Sequence, residues 1–251
     1  MQLLIGTSGW LYDDWVGKFY PKNLKDRDKL PYYCQHFGTV EINSTFYRMP
    51  PIEIFERWHK VVPREFMYSL KLSRYLTRNK RLVLDDESKP FICEFMNRSE
   101  KLRENLCAVV IQLPPSLCCD NSLLENFLTF VCGFAKSINL EADFAIEFRH
   151  ESWFNQDTYN VLNKFNTAFV IADSSRYPCA RVITADFSYI RLHGPEELFA
   201  SKYSDDELKK WSSYIKSNKQ LKRVYIYFNN DFYGYALDNA TYLKKLLSSK
   251  K

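Results

Sequence analysis

Phe187-Ser188-Tyr189-Ile190-Arg191-Leu192-His193-Gly194 is the stretch whose reading decides the fold. Residues two apart in a strand share a face, so Ile190 and Leu192 lie on one side and Tyr189, Arg191 and His193 on the other. Such a strand fits the wall of a parallel barrel. Its apolar side packs on helices and its polar side looks into the barrel.

Working outward, the 251-residue chain carries eight apolar runs rich in β-branched and aromatic residues. They are Leu3–Gly6, Thr39–Thr45, Phe66–Leu72, Cys107–Leu113, Asp143–Phe148, Ala168–Asp173, Phe187–Leu192 and Arg223–Phe228. Segments of helical periodicity separate most of them. Ile54, Phe55, Trp58 and Val61 form one apolar face; Leu123, Leu124, Phe127, Val131 and Phe134 form another; Leu208, Trp211 and Ile215 form a third. Pro50-Pro51 and Ser204-Asp205-Asp206 read as helix starts, and Asn239 through Leu247 as a closing helix. The connection around Pro178–Ile183 is short enough to hold only a turn or two. Strands alternating with helices imply a parallel sheet. Eight such units in this length predict one α/β domain over residues 1–251, a single (β/α)8 TIM-type barrel with eight parallel strands. An open doubly wound sheet would need a glycine-rich phosphate loop after an early strand, and Gly6-Thr7-Ser8-Gly9 matches that pattern weakly.

Composition narrows the function classes. Hydrophobic residues make up 46% and charged residues 26%, a globular balance. The net charge of +5 permits an anionic partner without demanding nucleic acid. No apolar stretch approaches bilayer length, and Met1 to Gly6 lacks a secretory signal's basic start, so the expected location is cytoplasmic, with no membrane partner. The seven cysteines are scattered and never spaced C-x-x-C, which argues for reduced thiols rather than a disulfide or zinc framework. Four histidines are too few for a multinuclear histidine-rich metal centre, and no metal site is expected. No cofactor is indicated by any motif.

The same parity applied to every run places the chemistry. Val40 and Ile42 oppose Glu41, Asn43 and Thr45; Leu70 and Leu72 oppose Ser69 and Lys71. Val109, Ile111 and Leu113 oppose Val110 and Gln112; Phe144, Ile146 and Phe148 oppose Glu147 and Arg149. Val170 and Ala172 oppose Ile171 and Asp173; Val224, Ile226 and Phe228 oppose Tyr225, Tyr227 and Asn229. If the apolar sets pack on helices, Lys71, Arg149, Arg191 and His193 gather with Glu41, Glu147 and Asp173 at the C-terminal barrel mouth, where this fold places its sites. Buried charges must pair, so the cluster reads either as a site or as a structural ion-pair network.

The loops add detail. Lys71, Arg74, Arg78, Lys80 and Arg81 run without an acid among them, which suits an anion. Trp10, Trp15, Tyr47 and Trp153 follow strands and could stack a sugar or base. His193-Gly194 and Asn229-Asn230-Asp231 fall at the corner where this fold often binds phosphate through backbone N–H groups.

Several strings together resemble the YecE-like family, a domain of unknown function. They are Gly6-Thr7-Ser8-Gly9-Trp10, Val40 through Tyr47, Glu147-Phe148-Arg149-His150 with Ser152-Trp153, Ala172-Asp173-Ser174, Tyr189 through Gly194, and Tyr227 through Asp231 with Asn239-Ala240. The resemblance spans nearly the whole chain. It implies a TIM-type barrel and carries no established activity. The family usually has a Thr-His pair in the loop after the third strand. Here Thr77 is followed by Arg78, which weakens any carry-over of a histidine-dependent metal-hydrolase activity.

The expected function is an enzyme acting on a phosphodiester or sugar phosphate, with hydrolysis as the candidate reaction. Glu41, Glu147, His193 and Asp173 are the candidate catalytic residues. Asn43, Lys71, Arg149, Arg191, Tyr227, Asn229, Trp10 and Trp153 are the candidate substrate contacts. The alternatives are a glycosidase using Glu41 and Glu147 as paired carboxylates, and a non-catalytic nucleic-acid-binding protein. The expected partner is an anionic small molecule or a nucleic acid.

Overall fold

The computed structural model describes residues 1–248. Its parallel strands are β1 Gln2–Ser8, β2 Thr39–Ile42, β3 Met67–Lys71, β4 Leu106–Gln112, β5 Asp143–Glu147, β6 Ala168–Phe169, β7 Ile171–Asp173, β8 Phe187–Leu192 and β9 Arg223–Phe228. The sheet order is β6-β5-β4-β3-β2-β1-β9-β8-β7, a nearly closed barrel. Helices α1 Asp26–Cys34, α2 Ser44–Tyr47, α3 Ile52–Val61, α4 Ser88–Ser99, α5 Asn121–Ser137, α6 Gln156–Lys164, α7 Asp205–Ser217 and α8 Tyr235–Ser248 lie between and after the strands. None of the described helices is long and apolar enough to cross a membrane.

Nine strand segments replace the eight expected, because the run Ala168–Asp173 is interrupted at Val170. Its first half pairs with β5 and its second half with β8. Val170 donates its backbone N–H to Ile146 at 2.9 Å. One short segment thus changes partners midway, and the change of partner breaks the ladder. The other runs hold, within a residue or two. The run expected through Thr45 stops at Ile42, where α2 begins two residues later.

Helix starts follow local chemistry. Ser204 caps α7 in a full capping box with Glu207, satisfying backbone donors at the helix start. Pro51 precedes α3 at its N-cap. The closing helix begins at Tyr235, four residues before the expected Asn239. The Pro178–Ile183 connection contains no helix.

Two apolar cores sit on either side of the sheet. The outer one joins Val40, Ile42, Leu70, Val109, Ile111, Ile146, Ile190 and Ile226 to the helices. The inner one fills the barrel with Ala108, Ala145, Ala168 and Ala172 beside Phe187, Tyr189, Tyr225 and Tyr227. Small side chains on one wall make room for large rings from the other, which is how a narrow barrel reaches core density. This corrects the parity of one strand. Val170 and Ala172 face the interior and Ile171 the helices, the reverse of expectation. The space beside the tyrosines accepts the smaller side chains. Gly6 shows a similar constraint: a Cβ there would lie 2.1 Å from the Thr39 carbonyl oxygen, so β1 and β2 could not approach.

Candidate functional site at the barrel mouth

The centre of the site is Arg191 near the end of β8. Its Nε and Nη2 donate to the two carboxylate oxygens of Glu41 on β2, at 3.0 and 2.7 Å. Its Nη1 donates to Glu147 on β5. Glu41 also accepts from Ser8 Oγ at 2.6 Å and from the Tyr189 hydroxyl at 2.7 Å. Ser69 lies 2.6 Å behind Tyr189. Glu147 further accepts from Gln112 Nε2 at 2.8 Å and Arg149 Nε at 2.7 Å. All three charged groups are buried, at 0 to 1% exposure. Burial opposes the charge on each carboxylate. Even so, Arg191, joined by Ser8 and Tyr189 at Glu41 and by Arg149 at Glu147, holds both below the ordinary carboxylate range. Every carboxylate oxygen of Glu41 thus has two donors, and neither acid lines the cavity above.

That cavity measures about 670 Å³, within the range of small-molecule sites. Its wall takes Asn43, Lys71, Gln112, Arg149, Arg191 and Asn229 from the strand ends. Its rim takes Arg78, Arg176, Tyr177, Phe199 and Phe232 from the loops. Tyr47 also lines it and is 65% exposed. Arg149 lies over the Tyr177 ring at 4.2 Å, and Arg78 over Phe46 at 5.2 Å. Among the described residues, Arg78 and Arg176 form no salt bridge.

Lys71 ends β3, and Thr45 Oγ1 holds its backbone carbonyl at 2.7 Å. Its ammonium position sits 4.3 Å from the Phe46 ring centroid. Nζ makes no hydrogen bond or ion pair among the described residues. Burial, then the nearby Arg191, pushes its pKa down to about 7, against the pull of Glu147 and Glu41. Asp231 is the opposite case. Burial, with Glu41 adding to it, raises its carboxyl well above the usual value, and Oδ1 has no partner. Asn43 Oδ1 is also unpartnered and lines the same cavity.

His193 is buried and does not line the cavity. Its Nδ1 lies 3.0 Å from Asn229 Oδ1, and Nε2 stays 3.9 Å from Glu147, beyond hydrogen-bond reach. Burial, then Arg191, lowers its pKa below the ordinary histidine value. Asp173 shares the outer face with Ile171 and lies near Tyr203, away from the cavity.

Other expected contacts are displaced for packing reasons. Trp10 is buried edge-on against Trp58 at 6.0 Å. Trp153 stacks on Phe148 and donates to the Leu117 carbonyl at 2.7 Å. Tyr227 lies deeper in the barrel, 2.7 Å from the Thr39 hydroxyl. Lys80 pairs with Asp85 and Glu87, and Arg81 binds Ser116, so only part of the basic loop reaches the cavity. The phosphate corner is not built from free backbone donors either. Gly194 N–H donates to the Tyr203 hydroxyl at 3.2 Å, and Asn229 N–H to Leu192 at 2.8 Å. Sequence reasoning missed Tyr12, Arg176 and Tyr177, which lie in loops without strand parity to orient them.

The comparisons agree with this architecture. UPF0759 protein YunF of Bacillus subtilis (strain 168) is 26% identical over 274 residues, covering 98% of this chain and 94% of YunF. UPF0759 protein YecE of Escherichia coli (strain K12) is 25% identical over 184 residues, which are 71% of this chain and 62% of YecE. A DUF72 family protein (TM1631) of Thermotoga maritima MSB8 superposes with a TM-score of 0.83 at 26% identity, covering 99% of this chain and 100% of that one. The sequence pattern of "Protein of unknown function DUF72" matches residues 4–251. This chain therefore belongs to the DUF72 family, as its motifs indicated.

Proposed function

We propose that the barrel-mouth cavity binds and processes a phosphate-bearing small molecule. Taking residues 168–173 as one bent stave, the nine segments make an eight-stave TIM-type barrel in a single domain, with its site at the usual C-terminal face. The observation that carries the reading is the charge left over at the cavity. Glu41 and Glu147 are consumed by Arg191 and Arg149, whereas Arg78 and Arg176 line the cavity without a salt bridge among the described residues; with Lys71 they face Asp13 and Asp14, which line the same cavity from the loop after β1. Guanidinium groups at a concave site suit phosphate oxygens, which they grip in pairs.

Roles follow from which atoms are free. Arg78, Arg176 and Arg149 grip the anion. Asn43 and Asn229 orient the substrate. Asp231, whose carboxyl burial raises well above its usual value, serves as general acid. Arg191 positions Glu41 and Glu147 and holds the floor of the cavity rigid. His193 acts from behind, through Asn229. The glycosidase alternative as first framed loses ground because Glu41 and Glu147 are both tied up below the cavity and neither lines it.

Thermal unfolding against inorganic phosphate, sugar phosphates, nucleotides, short single-stranded DNA and neutral glycosides tests this. A ligand at a hundred times its dissociation constant adds about 2.7 kcal/mol. A rise with phosphorylated small molecules that Arg78→Ala and Arg176→Ala diminish is the expected result. A rise confined to neutral glycosides would overturn it, and one confined to DNA would favour a nucleic-acid role with stacking on exposed Tyr47 and Phe232.

A further inference from the structure

We propose that Lys71 Nζ is a carbonyl-reactive amine that forms a Schiff base with an aldehyde or ketone carbon of the cavity's substrate. The inference deepens the phosphate reading by naming the substrate class, a small phosphorylated aldehyde or ketone, and it rests on that reading for the phosphate alone.

The argument begins with what Lys71 lacks. A buried lysine held for stability should have a counter-charge. The two nearest acids, Glu41 and Glu147, are already saturated by Arg191, Arg149, Ser8, Tyr189 and Gln112. Lys71 is 7% exposed and lines the cavity, with its Nζ over the ring of Phe46, which lines the same cavity. Its neighbour Arg191 adds like charge. Its contact with the face of Phe46 favours the ammonium by far less than a carboxylate would, and burial outweighs it. These conditions, desolvation and an adjacent cation, are the ones that turn a lysine into a nucleophile. With its pKa near 7, about half of Lys71 is unprotonated at neutral pH, whereas an ordinary lysine is so in only about one molecule in 3,000.

The step balances without an oxidant. The Nζ lone pair attacks the carbonyl carbon, forming the C–N bond as the carbonyl π pair moves onto oxygen. That oxygen takes the proton leaving nitrogen and becomes a hydroxyl. A second proton, from Asp231 directly or through water, lets the C–O bond break and water depart. The nitrogen lone pair forms the C=N bond, and the product is a protonated iminium. The iminium carries one positive charge, as the ammonium did, and the Glu41–Glu147 pair lies beside it. The phosphate, on the rim arginines, fixes the carbonyl over Lys71.

Reductive trapping tests this on the full chain. The protein is incubated near pH 7 with glyceraldehyde 3-phosphate, dihydroxyacetone phosphate and ribose 5-phosphate, each beside its unphosphorylated counterpart, in the presence of cyanoborohydride. Hydride adds to the iminium carbon and leaves a stable secondary amine, located by peptide mass mapping. The expected result is labelling of Lys71 more than about tenfold above any other lysine, abolished at that peptide in Lys71→Met and strongest with the phosphorylated compounds. Equal labelling of Lys71 by phosphorylated and neutral compounds would keep the Schiff base and remove the phosphate. Thermal stabilisation by these phosphates, with Lys71 labelled no more than surface lysines, would overturn the Schiff base and leave phosphate binding intact. Neither label nor stabilisation would overturn both.

Discussion

Arg191 and Glu41, 150 positions apart in sequence, meet across the barrel in a two-point pair at 2.7 and 3.0 Å, both fully buried. The same guanidinium also holds Glu147. One side chain therefore bridges two buried acids, with Arg149 supplying the second positive charge at Glu147. Arg191→Ala leaves both without their main counter-charge and should cost about 3–5 kcal/mol. At this chain length that lowers the melting temperature by roughly 6–20 °C. Combining Arg191→Met with Glu41→Gln and Glu147→Gln should recover most of the loss. A single Arg191→Ala variant that melts within a degree or two of wild type would show that the acids are not charged in the folded state.

Asp231 gives stability the opposite dependence on pH. Its folded-state pKa is raised, first by burial and then by Glu41. Its contribution is therefore fully present below the unfolded value near 3.8 and is lost as pH rises toward the folded value. Asp231→Asn removes this loss. The variant should match wild type near pH 4 and exceed it increasingly at pH 6 and 8, by up to about 1.4 kcal/mol per pH unit. Melting curves at these three values decide it, and a constant difference across them would contradict the raised pKa.

Lys71 leaves a signature in another window. Its pKa falls from 10.5 to about 7 on folding, so the unfolded chain binds the proton more tightly between those values. Stability from this group rises as pH climbs from 7 to 10.5 and is lowest below 7. Lys71→Met should be more stable than wild type at pH 6, with the gap closing toward pH 10. Urea titrations of the pair at several pH values measure it, and a gap that does not narrow would place the Lys71 pKa at its ordinary value.

Gly194 connects backbone strain to the cavity. Its φ is +105°, and a Cβ would lie 2.6 Å from the Glu197 carbonyl and 2.7 Å from Ser201 Oγ. The loop it starts carries Leu198 and Phe199 into the cavity wall. Gly194→Ala should cost about 2–3 kcal/mol through the combined strain and clash. It should also weaken ligand-induced stabilisation, because the wall moves. Loss of stability with ligand response intact would separate the loop from the site.

Alternation along the runs made most of the barrel legible. Ile190 and Leu192 had to face helices, so Arg191 had to face inward, and Glu41, Glu147, Lys71 and Arg149 followed by the same rule. Long strings such as Val40–Tyr47 carried the family. Parity failed at 168–173, where the choice of face depended on the volume left by tyrosines from β8 and β9. The loop aromatics Trp10 and Trp153, read as possible stacking platforms, instead pack on Trp58 of α3 and on Phe148.

The sequence by itself determined which residues enter the barrel in every strand but the 168–173 run, because strand periodicity is a local property of the backbone. Only the tertiary structure decided their states. It left Glu41 and Glu147 spoken for, Lys71 over the Phe46 ring without a carboxylate partner among the described residues, the Asp231 carboxyl raised by burial, and Tyr177 part of the cavity wall. Those outcomes depend on desolvation and on distances between strands and loops far apart in the chain, and no local pattern encodes either.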